Sequence, residues 1–207
     1  TVHWTGKPHR LGSLVRVDGK PYRIMGASPA SVPALEQKNL IVLPTRTVYT
    51  FAGAGVELTL TFLTPALPED LDVLSWPITY LTYEFRSIDG RSHDVVLYCD
   101  AAGEITVNTP NQQVVWASEQ PGDLTALKMG SKDQPILAKR GDDIRIDWGY
   151  LYLAAPKAGV TGQAFAGRSD LQAGFVEHGW QTVPQSSLAA PAAAENVAAG
   201  LVLRLGK

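Results

Sequence analysis

Acidic side chains gather at three places in the sequence, and paired carboxylates are the groups with which many hydrolases divide acid and base roles. The three groups are Glu69, Asp70 and Asp72; Asp100 and Glu104; and Asp142, Asp143 and Asp147. Acidic residues in loops usually cap turns or face water, and we expect this of the first group and of Asp142 and Asp143. Asp100 and Glu104 flank a bend at Gly103.

Asp147 is different, because it lies between Ile146 and Trp148 in the aromatic-rich segment IRIDWGYLYLAAP (144–156). A carboxylate buried there would need a cationic partner, for which Arg46 and Arg145 are candidates. Two interpretations stay open: Asp147 forms a structural ion pair, or the segment lines a binding site.

Other chemical signatures are weak. The only cysteine, Cys99, lies in the apolar run VVLYCDA and is expected to be a buried core residue. The four histidines show no metal-ligand spacing, and the sequence has no nucleophile elbow, dinucleotide loop or phosphate loop. The sequence therefore predicts neither a metal nor a cofactor.

The five tryptophans are spread evenly along the chain, which favours core packing over a binding platform: Trp4, Trp76, Trp116, Trp148 and Trp180. Trp4 is the exception, since it lies in the irregular stretch VHWTGKPH ahead of the first strand. Its ring must pack against something, either within this chain or outside it.

The composition excludes several classes of protein. Apolar residues make up 45% of the 207 residues and charged residues 18%, which is the balance of a folded chain. With a net charge of −2 and a pI near 6.1, we expect neither a nucleic acid nor a membrane surface as partner.

Strand patterns dominate the sequence. VELTLTFLTP (56–65) alternates apolar and polar residues, and Asp18-Gly19 is a hairpin turn signal between two short β runs. GDDIRIDWGYLYLAAP (141–156) predicts a long strand, whereas the pattern over residues 157–196 is weaker. Within it, the alanine tract of SSLAAPAAAENVAAG could form a short helix, but Pro191 and the lack of an apolar stripe favour a connector. We predict an all-β fold with little helix: a single domain over residues 1–207, built as a large antiparallel β-sandwich of two packed, supersandwich-like sheets. A closed β-barrel is the main alternative.

Several long phrases, in order, resemble the N-terminal β domain of the large secreted glutaminase A proteins of fungi and bacteria. They are WTG (4–6), RVDGKPYRIMG (16–26), PTRTVYTF (44–51), GVELTLTFLTP (55–65), LPEDLDVLSWPITYLTYEFRSIDGRSHDV (67–95) and RIDWGYLYLA (145–154). One departure is Ile105, where such proteins tend to carry tryptophan.

The resemblance implies a piece of a longer, secreted protein whose C-terminal helical toroid domain is the catalytic partner. That protein would hydrolyse L-glutamine to L-glutamate and ammonia, with this domain mainly structural or lining one side of the pocket. The expected wall residues are Trp4, Asp147, Trp148 and Tyr150. The alternative is a carbohydrate-binding or accessory domain of an enzyme related to glycoside hydrolases, with a sugar as the small-molecule substrate.

Overall fold

Antiparallel strands form almost all of the regular structure, in a computed structural model that describes residues 3–180 and 188–205. In chain order the strands are β1 (Leu11–Val17), β2 (Lys20–Met25), β3 (Glu36–Val42), β4 (Arg46–Gly53), β5 (Val56–Leu63), β6 (Tyr80–Ser87), β7 (Val95–Ala102), β8 (Gln113–Glu119), β9 (Leu124–Ser131), β10 (Leu151–Pro156), β11 (Val160–Ala166), β12 (Ala192–Ala193) and β13 (Ala198–Arg204). The helices are α1 (Leu71–Ser75) and α2 (Arg168–His178), with short 3₁₀ turns at Gly103–Thr106, Lys157–Gly159 and Ala194–Asn196. The all-β prediction is confirmed.

Contacts divide the chain into two compact units, the first from Thr1–Pro33 and Asp94–Gly206, the second from Ala34–His93. The first unit holds two sheets, ordered β11-β13-β7-β1-β2 and β10-β9-β8-β12. The second unit holds one sheet, ordered β3-β4-β5-β6. The described residues thus form three sheets, one more than the two predicted. The single domain over residues 1–207 and the further helical domain stay predictions.

The two sheets of the first unit pack face to face over an apolar core. That core is formed by Val107, Val114, Leu127, Met129, Ala155, Ala194, Val197, Ala199 and Leu201. β13 has buried side chains on both of its faces, because Ala199 and Leu201 enter this core while Ala198 and Val202 point the other way. Burial on both faces explains why its sequence is a continuous apolar run.

Helix α2 covers the other face of the five-stranded sheet. Leu171 and Phe175, four residues apart on the helix, pack with Trp180 against Tyr98 of β7. Gly200 of β13 makes this approach possible, since a Cβ there would lie 2.9 Å from the Trp180 ring. The helix lies inside residues 157–196, where the sequence pattern was weak and predicted no helix before the alanine tract. It was missed because few of its residues are apolar and its burial depends on the sheet beneath it.

The second unit is a four-stranded meander with one buried face. Phe51, Val56, Leu58 and Leu60 are buried, the last three as the period of two over residues 56–65 predicted. The turn between β4 and β5 uses Ala54 and Gly55 at positive φ, the conformation of a two-residue hairpin. Asp70 caps α1, because its carboxylate accepts a 3.0 Å hydrogen bond from the Val73 N–H. This confirms the capping role expected for its acidic group.

Neither described helix has the length and apolar character that a membrane span requires.

Candidate functional site

Two buried carboxylates lie close together at the end of β7. Asp100 is on the strand and Glu104 is in the 3₁₀ turn that follows it. The Asp100 side chain is fully buried, and the Glu104 side chain is 2% exposed. A buried carboxylate is stable only when cations or hydrogen-bond donors surround it, so both residues require partners from elsewhere in the chain.

Asp100 has three hydrogen-bond donors. Arg168 Nε and Gln172 Nε2 each lie 2.8 Å from its carboxylate oxygens, and the Tyr98 hydroxyl donates over 3.0 Å. Arg168 and Gln172 are one turn apart on α2, so the same helix face presents both to the sheet. Burial and the Asp100 charge raise the pKa of Tyr98 well above its usual value, which keeps the phenol protonated as a donor.

Gly12 of β1 allows this ion pair to form. It lies opposite Asp100 in the β1–β7 register. A Cβ on Gly12 would lie 2.5 Å from Arg168 Nη2 and 2.8 Å from Asp100 Oδ2, closer than real Cβ contacts. The absence of a side chain at residue 12 therefore opens the path between α2 and the carboxylate.

Glu104 is bound by Arg10, which precedes β1. Arg10 Nε donates to Oε2 over 2.8 Å, and Nη2 donates to Oε1. This two-point geometry matches a guanidinium to a carboxylate and orients both groups. The hydrogen bond to Glu104 raises the pKa of Arg10. The Arg10 side chain is 44% exposed, so the pair joins a buried acid to a cation at the surface.

The two arginines share a surface groove of about 500 Å³. Its lining also includes Ser28, Ser169, Asp170, Leu188, Glu195 and Asn196. A second opening of about 560 Å³ shares Arg10, Ser28 and Arg168. The groove therefore carries two positive and two negative side chains near its surface. These charged and hydrogen-bonding groups fit the binding of a small polar molecule.

Asp147 is buried but lies in a loop. The prediction of a strand over residues 141–156 is wrong for its first ten residues, since β10 begins only at Leu151. The positive φ of Gly149 breaks the extended backbone, and Arg145 and Asp147 turn inward. The bound cation is Lys139, whereas Arg46 and Arg145 were the expected partners.

The surroundings of Asp147 favour its ionised form. Burial opposes ionisation, but hydrogen bonds from Lys139 and from Gln112 Nε2, the latter at 2.9 Å, outweigh it and lower the pKa of Asp147. The Ser131 hydroxyl also donates to the Asp147 carbonyl. The structural ion pair that the sequence left open is thus present.

The other predicted wall residues lie at the surface. Trp4 is 74% exposed, with the His3 ring 5.6 Å away between centroids. Trp148 is half-buried, and Lys128 Nζ lies 4.3 Å from the centroid of the exposed Tyr150 ring. The loop brings Asp147, Trp148 and Tyr150 together, but none of the four predicted residues lines the groove. Their contact with a substrate stays a prediction.

Sequence reasoning did not name Arg10 or Arg168. It named Asp100 and Glu104 but assigned them no partners. One signal was available: Asp100 stands in VVLYCDAA, where an acid within an apolar strand requires a buried cation. Which arginine supplies that cation depends on α2, whose presence the pattern did not reveal.

The lowered pKa of Asp147 leads to a pH-dependent prediction. A carboxylate whose pKa is depressed by folding stabilises the protein above its unfolded pKa, and this stabilisation is lost as the pH falls through the folded value. At pH 7 we expect Asp147→Asn to lower the free energy of unfolding by about 1–3 kcal/mol. The deficit should shrink as the pH falls below about 4.

Urea midpoints measured across that range check this prediction. Asp142→Asn, which alters an exposed acid of the same loop, is the control and should change stability by less than about 0.5 kcal/mol. A deficit that stays constant down to the lowest pH would contradict the assignment.

Residues 3–180 and 188–205 contain no group of three or more histidine, cysteine, aspartate or glutamate side chains placed to hold a metal ion.

Comparison with known proteins gives two findings. Residues 45–207 match the family profile described as a domain of unknown function, DUF5127. The chain is also 27% identical over 177 residues to a protein of Aspergillus oryzae named glutaminase A. The match covers 85% of this chain and spans about a quarter (25%) of that relative.

Proposed function

This chain belongs to the DUF5127 family, and we propose that it is the accessory β domain of a glutaminase A-like amidohydrolase. The observation that carries the proposal is the similarity to glutaminase A along most of this chain. The chain is accordingly a glutaminase-related domain. Because it spans only a quarter of that relative, we assign glutamine hydrolysis to the longer parent protein and propose an extracytoplasmic location for it.

The chemistry of the buried acids supports an accessory role. Hydrolysis of a carboxamide needs a nucleophile or activated water, an acid for the departing ammonia, and donors for the oxyanion. The three carboxylates buried in residues 3–180 and 188–205 are Asp100, Glu104 and Asp147, and each is bound by a cationic side chain. An acid held in such a pair contributes to the fold, since removing its cation would leave a buried charge uncompensated.

The groove beside Arg10 and Arg168 gives the domain a part in substrate binding. An α-amino acid carries a carboxylate and an ammonium group, and the groove lining carries arginines and acids. The hydrogen bonds from Arg10 to Glu104 use Nε and Nη2, so its Nη1 is directed away from that carboxylate. Arg10 would meet the carboxylate of glutamine, and Glu195, whose charge acts on Arg10, would meet the ammonium.

Ammonia release separates an accessory domain from a self-sufficient enzyme. We expect the parent protein to release ammonia from L-glutamine, and the 207-residue chain to release no more than a heat-inactivated sample. A coupled glutamate and ammonia assay measures both. Ammonia from the 207-residue chain alone would overturn the accessory role, and no ammonia from the parent would overturn the glutaminase assignment.

The substitution Glu195→Gln in the parent tests the groove. Loss of one charged contact to the ammonium should raise KM for glutamine by about 10-fold, equivalent to about 1.4 kcal/mol. We expect kcat and the urea midpoint to stay unchanged, because Glu195 is exposed. The matched control is Glu177→Gln, an exposed acid of α2 that does not line the groove. If both variants give the same KM, the groove takes no part in substrate binding.

A further inference from the structure

Residues 132–150 form a loop in which several apolar side chains are exposed and two charged side chains are buried. Four of its large apolar side chains face water: Leu137 is 77% exposed, Ile136 and Ile146 are each 66% exposed, and Tyr150 is 47% exposed. Two of its charged residues, Arg145 and Asp147, are buried. We call this segment the inverted loop. A loop shaped only by its own hydrophobicity would have the opposite arrangement.

Polar contacts join the two halves of the inverted loop. Gln134 Nε2 donates to the Gly149 carbonyl over 3.1 Å, and the Gly149 N–H donates back to Gln134 Oε1 over 2.7 Å. Lys139 binds the Asp147 carboxylate. Residues 134–139 therefore run beside residues 147–149, which places Ile136 and Leu137 next to the segment that carries Ile146 and Tyr150.

A second set of contacts fixes the inverted loop to the N-terminal segment. Arg145 donates from Nη1 to the Pro8 carbonyl and from Nη2 to the Asn108 carbonyl, the latter over 3.2 Å. Lys7 Nζ donates to the Asn108 side chain and to the Asp143 carbonyl, both over 2.9 Å. The exposed apolar side chains are thus presented by a backbone that is tied at several points.

Local preferences do not explain this shape. Leu137 has φ +53°, a left-handed conformation that an L-residue with a side chain rarely adopts. Two local rules are therefore broken at one residue, since Leu137 is both strained and exposed. Such departures concentrate where a surface has a function.

We propose that the inverted loop is the docking surface for the rest of the parent polypeptide, an inference that rests on the proposed function. The glutaminase A relative is about four times as long as the part that this chain matches, so most of that protein lies outside these 207 residues. Exposed charged side chains stand next to the exposed apolar ones along the chain: Lys132, Asp133, Arg140 and Asp142. An apolar centre with a polar rim is the usual anatomy of a protein interface.

Thiol labelling tests this proposal, because the only native cysteine, Cys99, is buried. Leu137→Cys and Ile146→Cys are prepared in the 207-residue chain and in the parent. The rate of maleimide labelling at each position is then measured by peptide mass spectrometry. We expect labelling at both positions to be at least about 10-fold slower in the parent, because docking excludes the reagent. Ala173→Cys, at an exposed position of α2, is the control and should be labelled equally fast in both.

Equal rates at residues 137 and 146 in the two proteins would overturn the proposal. Slow labelling in the 207-residue chain that becomes fast on dilution would also overturn it, because the occupant would then be a second copy of this chain. Slow labelling in a parent that does not hydrolyse glutamine would support the docking surface and refute the glutaminase assignment, so the two failures are distinguishable.

Discussion

Three carboxylates are buried among the described residues of the first unit, and three different segments of the chain supply the cations that bind them. Asp100 binds Arg168 of α2, Glu104 binds Arg10 ahead of β1, and Asp147 binds Lys139 of the inverted loop. A buried carboxylate that loses its cation costs about 3–5 kcal/mol, so α2 and the segment ahead of β1 cannot leave the end of β7 without a large penalty. Hydrophobic burial holds the two sheets together. The ion pairs determine the positions of α2, of the segment ahead of β1 and of the inverted loop's backbone.

These pairs also shape the surfaces to which we assign a function. The arginines that bind Asp100 and Glu104 present their outer faces to the groove, where an amino-acid substrate would meet them. The pair between Lys139 and Asp147 holds the inverted loop with its apolar side chains outward. Both surfaces suit a domain that binds and positions rather than one that performs the reaction alone. The carbohydrate-binding alternative stays a prediction.

The sequence predicted what depends on local patterns. Alternation in β5 and the hairpin turn at Asp18-Gly19 follow from residue order, and the structure confirms them. The sequence did not reveal the features that depend on contacts between residues far apart in the chain. Helix α2 has too few apolar residues to form a pattern at helical spacing. Its Leu171 and Phe175 are buried only because β7 and β13 lie beneath them. The alternation over residues 144–150 predicted a strand, yet the positive φ of Gly149 breaks the extended backbone, and Gln112 and Lys139 bind Asp147 within a loop.

The coupling between Asp100 and Arg168 is the most direct measure of this account. A double-mutant cycle with Asp100→Asn, Arg168→Met and the double variant, followed by urea denaturation, gives their interaction energy. The account predicts a coupling of about 2 kcal/mol or more. The double variant should then lose less stability than the sum of the losses in the two single variants. A coupling below about 0.5 kcal/mol, within the additivity of independent sites, would contradict it.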